Sequence, residues 1–144
     1  MELLEKDTFH LTIIGSRVSS ILLQSLDNDK REKILATILQ LFLSIAWNMA
    51  VTDEFYYIES DFHEPDPRDP TVRLPEKRKS LIQMVELEGL DVFYRQLNLL
   101  FHTSFEMPVP HITLWTHSTW EDKKLYGIGL YSRREFEDMN PRRV

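Results

Sequence analysis

The chain has 144 residues, 42% of them hydrophobic and 28% charged, with four glycines, seven prolines and no cysteine. That length suits one compact domain, and the apolar fraction is too high for a disordered chain. Without cysteine there is no disulfide framework, thiolate nucleophile or thiolate metal site, and a net charge of −6 argues against a surface that coats nucleic acid.

The amino terminus carries no basic segment followed by an apolar one, so a cytoplasmic protein is expected. Residues 9–14 (FHLTII) form a β-rich run ending at Gly15, which reads as a strand. Residues 18–26 suit a helix, and Asp27, Asn28 and Asp29 offer a cap for a long helix over about residues 29–51. Within it Thr37, Gln40, Ser44 and Asn48 fall at i, i+3, i+7 and i+11, one polar stripe beside a broad apolar face. Such a stripe marks an amphipathic helix with its apolar side buried, not a membrane span.

Residues 54–60 read as a strand. Residues 61–79 hold four prolines and many charges without hydrophobic period, which predicts a mobile loop, either a functional lid or a disordered one. Residues 80–87 form another strand, broken by Gly89. Residues 91–101 follow as a helix with Phe93, Leu97 and Leu100 on one face. Pro108 and Pro110 lead into a strand at 112–116, and residues 126–131 (YGIGLY) form the last strand before a charged tail. The order is β-α-β-β-α-β-β, an α+β domain.

The chemistry lies in two short runs, His10-Leu11-Thr12 and His111-Ile112-Thr113. Alternation along a strand puts each histidine and threonine on one face. Phe9, Leu11 and Ile13 back the first run, and Ile112 and Leu114 the second. Each run thus presents an imidazole beside a hydroxyl. Two histidines can supply a base for water and an acid for a leaving alkoxide near neutral pH, and threonine hydroxyls can donate to phosphate oxygens. Trp115 shares the His111 face under strict alternation and could stack on a base. Tyr131, Arg133 and Arg134 sit at the end of the last strand, where a cation could meet phosphate; Arg133 and Arg134 point to opposite faces if the strand continues, so at most one helps. Lys77, Arg78 and Lys79 read as a solvated strand end able to steer an anion. This scheme requires no metal or cofactor, and a dinuclear site is hard to build because neither motif carries a carboxylate at ligand spacing; a lone two-histidine metal site is the competing chemistry.

These motifs, the second set in PHITLW, resemble the two-histidine (2H) phosphoesterase superfamily of LigT-like RNA 2′,5′-ligases and cyclic phosphodiesterases. The run YGIGLYSR is similar to that family's closing strand. The resemblance implies a single bilobal domain over residues 1–144, with antiparallel sheets, helices packed on the outer faces and a central cleft carrying both His-x-Thr motifs. It implies a metal-independent phosphodiesterase for 2′,3′-cyclic or 2′,5′-linked nucleotides or short RNA ends. In it His10 and His111 act as the acid–base pair, and Thr12 and Thr113 hold the phosphate. The chain departs from the pattern in lacking the usual first strand and helix, which would leave a sheet edge open for a homodimer. A non-catalytic nucleotide- or RNA-binding domain that retains the cleft, and a structural interaction domain, are the other classes the residues allow.

Overall fold

A computed structural model describes residues 3–144. Its elements in chain order are β1 (Leu4–Glu5), α1 (Ser16–Leu23), α2 (Asn28–Ser44), β2 (Asn48–Pro65) and β3 (Arg73–Glu88). There follow α3 (Leu90–Phe101), β4 (His111–Ser118), a 3₁₀ turn (Glu121–Lys123), α4 (Arg133–Asp138) and β5 (Arg142–Arg143). The strands form one five-stranded antiparallel sheet in the order β1-β4-β3-β2-β5. The protein is an α+β domain, and among the described residues no helix is long and apolar enough to cross a membrane.

The β2–β3 hairpin dominates, and it occupies most of the expected mobile loop. Pairing runs from Asn48 opposite Glu88 to Pro65 opposite Arg73, with one irregularity between Val51 and Phe55. Only residues 66–72 are left for the turn. There Asp66 N–H donates to the Val72 carbonyl, and the Asp66 and Asp69 carboxylates cap local backbone N–H groups. A period of two does exist in the arms, but charged residues carry it. Phe62, Glu64, Leu74, Glu76 and Arg78 turn inward while Asp61, His63, Pro65, Arg73, Pro75 and Lys77 turn out. Hydrophobicity alone does not register such an alternation.

Two apolar clusters hold the fold. Ile58, Ile82, Met84, Val109, Ile128, Leu130 and Phe136 lie on one sheet face. They are roofed by residues 126–131 and α4. The other cluster gathers Val18, Leu22, Leu41, Leu90, Phe93, Tyr94 and Leu97. Here α1, α2 and α3 pack mainly on one another and reach the sheet through Leu87 and Trp47.

Several expectations change. Asp27 does cap α2, its side chain accepting from Lys30 N–H. The helix stops at Ser44, because the Trp47 indole N–H folds back onto the Phe42 carbonyl at 2.8 Å and satisfies a terminal acceptor. Its buried side is narrow: Ile38, Leu41, Phe42 and Ile45 pack inward, whereas Leu35, Leu39 and Leu43 are 51%, 56% and 71% exposed. In α3 the buried set is Leu90, Phe93, Tyr94 and Leu97, and Leu100 faces solvent. Residues 9–14 are not a strand. The amino-terminal chain follows β4 at Leu4 and Glu5, bows away, and returns for a single bridge between Leu11 and Ile112, which leaves Phe9 exposed. Residues 126–131 are not a strand: Val109 N–H donates to the Leu130 carbonyl and Arg78 to the Gly127 carbonyl, but no ladder forms, and Ile128 and Leu130 point down into the sheet core. The expected charged tail opens with α4, whose start is capped by the Ser132 hydroxyl accepting from Glu135 N–H.

Candidate functional site

The Leu11–Ile112 bridge joins the two His-x-Thr runs side by side. An open cavity of about 780 Å³ lies there, and His10, Thr12, His111 and Thr113 are all among the residues that line it. His10 and Thr12 are exposed, on the segment that bows from the sheet, while His111 and Thr113 are half-buried on β4. The Gly127 backbone lies against the Thr113 side chain.

His111 is held at its Nδ1, which lies 2.8 Å from the Val109 carbonyl. A carbonyl can only accept, so Nδ1 carries the proton and neutral His111 presents a bare Nε2. Burial lowers the His111 pKa from its ordinary value; the Val109 hydrogen bond partly opposes this, and the charge of His10 lowers it further. The two imidazoles are therefore electrostatically coupled, with His111 biased towards the neutral form.

Trp115 is not in this site. The β3–β4 register runs Met84–His111, Ile82–Thr113, then Leu81–Trp115, Ser80–Thr116 and Arg78–Ser118, so Leu114 is an extra residue on β4. Paired residues share a face. The bulge therefore sends Trp115 with Leu81 to the opposite face and returns Thr116 and Ser118 to the face of His111. Tyr131 does line the cavity, whereas Arg133 does not; it stands on α4 with its guanidinium 5.7 Å from the Phe136 ring centre.

The cluster of Lys77, Arg78 and Lys79 is divided by the same alternation. Lys77 and Lys79 lie on the far face near Asp61 and Glu59, and Arg78 lines the cavity. Its Nε and Nη2 each donate at 2.8 Å to one oxygen of Glu76, a carboxylate only 1% exposed that also accepts from the Ser118 hydroxyl at 2.7 Å. The Arg78 guanidinium also lies 4.2 Å from the Phe62 ring centre. Burial would raise the Glu76 pKa, but the Arg78 and Ser118 hydrogen bonds and the nearby positive charges of Arg78 and Lys123 outweigh it and lower the value.

Arg17 is the second guanidinium in the wall, and nothing in the sequence pattern singles it out. Among the lining residues whose side chains are not turned to the far face, Glu64, Glu106, Glu135 and Asp138 stand against Arg17 and Arg78. The walls are thus not a polycation trap. Among the described residues no three of His, Asp and Glu are grouped to hold a metal ion. No family model, curated protein or solved structure matches the chain.

Proposed function

We propose that this cavity is the active site of a phosphodiesterase of the two-histidine type, a central cleft between two halves of the molecule. It acts on 2′,3′-cyclic or 2′,5′-linked nucleotides or short RNA ends without a metal ion. The observation that carries the proposal is the bridge between Leu11 and Ile112, which lets two imidazoles and two hydroxyls from runs roughly 100 residues apart line one open cavity. Bringing such distant groups to one wall is what acid–base chemistry on a single phosphorus needs.

In the proposed step His111 Nε2 accepts a proton from water as its oxygen attacks phosphorus. The bond from phosphorus to one ribose oxygen breaks, and His10 gives its proton to that oxygen. His111 suits the base because burial favours its neutral form and Val109 orients the lone pair. His10, the exposed imidazole of the pair, is left as the acid, where solvent can return its proton after each turnover. The Thr12 and Thr113 hydroxyls donate to the non-bridging oxygens as charge builds on them.

The test is a panel of the four 2′,3′-cyclic mononucleotides and the 2′,5′-dinucleotides, assayed with and without a strong chelator. Turnover that survives the chelator is expected. Activity that needs added zinc or manganese would replace this chemistry with metal-assisted hydrolysis. Binding without turnover would instead identify a nucleotide-binding domain, and neither would leave an interaction domain. Among the described residues the outer edge of β2 pairs with β5 at Tyr56 and Tyr57 and takes Val144 N–H at the Phe55 carbonyl, so self-association through the rest of that edge belongs to the same proposal. Sedimentation equilibrium that finds only monomer at high concentration would remove that part.

A further inference from the structure

Tyr131 is locked from several sides at the end of the cavity next to α1. A Cβ on Gly15 would stand 2.7 Å from its Cε1, and one on Gly129 would stand 2.6 Å from its Cε2, so only glycine lets both backbones approach the ring. The phenol oxygen is 3.0 Å from the Ser16 hydroxyl. Over this fixed ring lies Arg17, its Cζ 3.9 Å from the ring centre. Arg17 Nη1 donates to Glu135 at 2.8 Å, and Glu135 is itself set by the Ser132 cap of α4. Gly15, Ser16, Arg17, Gly129, Tyr131 and Glu135 all line the cavity.

This arrangement has no evident stability role. Arg17 and Tyr131 belong to neither apolar cluster, and the Arg17 side chain is 54% exposed, where an ion pair is worth little. Its ring support and carboxylate partner nonetheless hold a planar cation over the ring, with about half of the side chain open to solvent. Arg78 offers no comparable surface, being 12% exposed and enclosed by Glu76, Glu64 and Phe62. Glu135 already balances the Arg17 charge, which leaves a flat polarizable face as its main asset. Nucleobases stack on such guanidinium planes.

Resting on the proposed diesterase reading, we infer that Arg17, supported by Tyr131, is the stacking platform for the base of a nucleotide carrying a single phosphate charge. A single charge fits because the four wall carboxylates Glu64, Glu106, Glu135 and Asp138 outnumber the two arginines and would repel a substrate bearing further phosphates. Tyr131 is a positioning residue here, since it acts through Arg17.

The experiment compares kcat/KM for adenosine 2′,3′-cyclic phosphate with that for 1,4-anhydroribitol 2,3-cyclic phosphate, which has the sugar and diester but no base. Wild-type protein is expected to prefer the base-bearing substrate by about tenfold or more, a typical return for one stacked base. Arg17→Lys, which keeps the charge but not the plane, and Tyr131→Leu should both bring the ratio close to one, with the loss in KM. Thermal melts on each variant check that the fold is retained. A preference preserved in Arg17→Lys, or absent from the wild type, overturns the platform while leaving the diesterase reading intact. Failure of wild-type protein to hydrolyse either substrate overturns the diesterase reading, and the platform with it.

Discussion

Replacing Glu76 by glutamine removes the charge that fixes Arg78 while nearly preserving volume. Glu76 receives two hydrogen bonds from Arg78 and one from Ser118, with almost no access to water. Breaking a buried pair by removing one partner costs about 3–5 kcal/mol. Here the loss should sit near the lower end, about 3 kcal/mol, because Glu64 lies 3.5 Å from Arg78 and takes up part of the charge. The pH dependence separates this account from simple loss of packing. The folded-state pKa of Glu76 is lowered, so its ionic stabilisation is present above the ordinary carboxylate range and is lost as pH falls through the folded value. Urea unfolding of wild type and Glu76→Gln at a series of pH values from 7 down to 3 should therefore give curves that converge at low pH. A stability difference that stays constant across that range would refute the electrostatic reasoning. The same variant frees Arg78 at the cavity wall, so turnover should fall alongside stability.

Because the charge of His10 lowers the His111 pKa, His10→Gln should move the His111 titration upward, as followed by proton NMR of its ring. No movement, or a downward one, would contradict the coupling. Activity should follow a bell in pH whose rising limb lies below the ordinary histidine value, since His111 must lose its proton to act as base; the limbs belong to the pair. A rising limb above that value would exclude His111 from the role. Trp115→Ala should leave kcat/KM for a cyclic mononucleotide within about twofold, because the β4 bulge turns Trp115 away from the cavity. A loss of tenfold or more would contradict that register.

The candidate site residues are legible where chemistry and spacing coincide. His10, Thr12, His111 and Thr113 stand out as a repeated pair, and all four line the cavity. Their supports were less visible. Trp115 is misassigned by strict alternation because one extra residue, Leu114, resets the phase of β4, and a bulge has no compositional mark here. The hairpin arms escape notice because Glu64, Glu76 and Arg78 occupy inward positions that hydrophobic patterning reserves for apolar residues; mutual ion pairing makes them tolerable there. Arg17 gains its place only through Tyr131 and Glu135, more than a hundred residues away, and no local rule reaches so far. The helices fared better, since Asp27 and Gly89 mark two starts by local chemistry. Asp27 caps α2 with its side chain, and Gly89 takes φ +98° where a Cβ would meet Ile45 at 2.6 Å. The end of α2 did not, because it depends on where Trp47 folds back.

Phosphorus NMR on adenosine 2′,3′-cyclic phosphate incubated with the protein in excess chelator tests the central claim most directly. With one acid aimed at one ribose oxygen, the cyclic signal should give way to a single monoester rather than to both isomers. His10→Gln and His111→Gln should each slow that conversion by at least about a hundredfold while the fold is retained. A spectrum that does not change with wild-type protein, or one that changes as fast with either glutamine variant, would contradict the claim that these two histidines form one catalytic site.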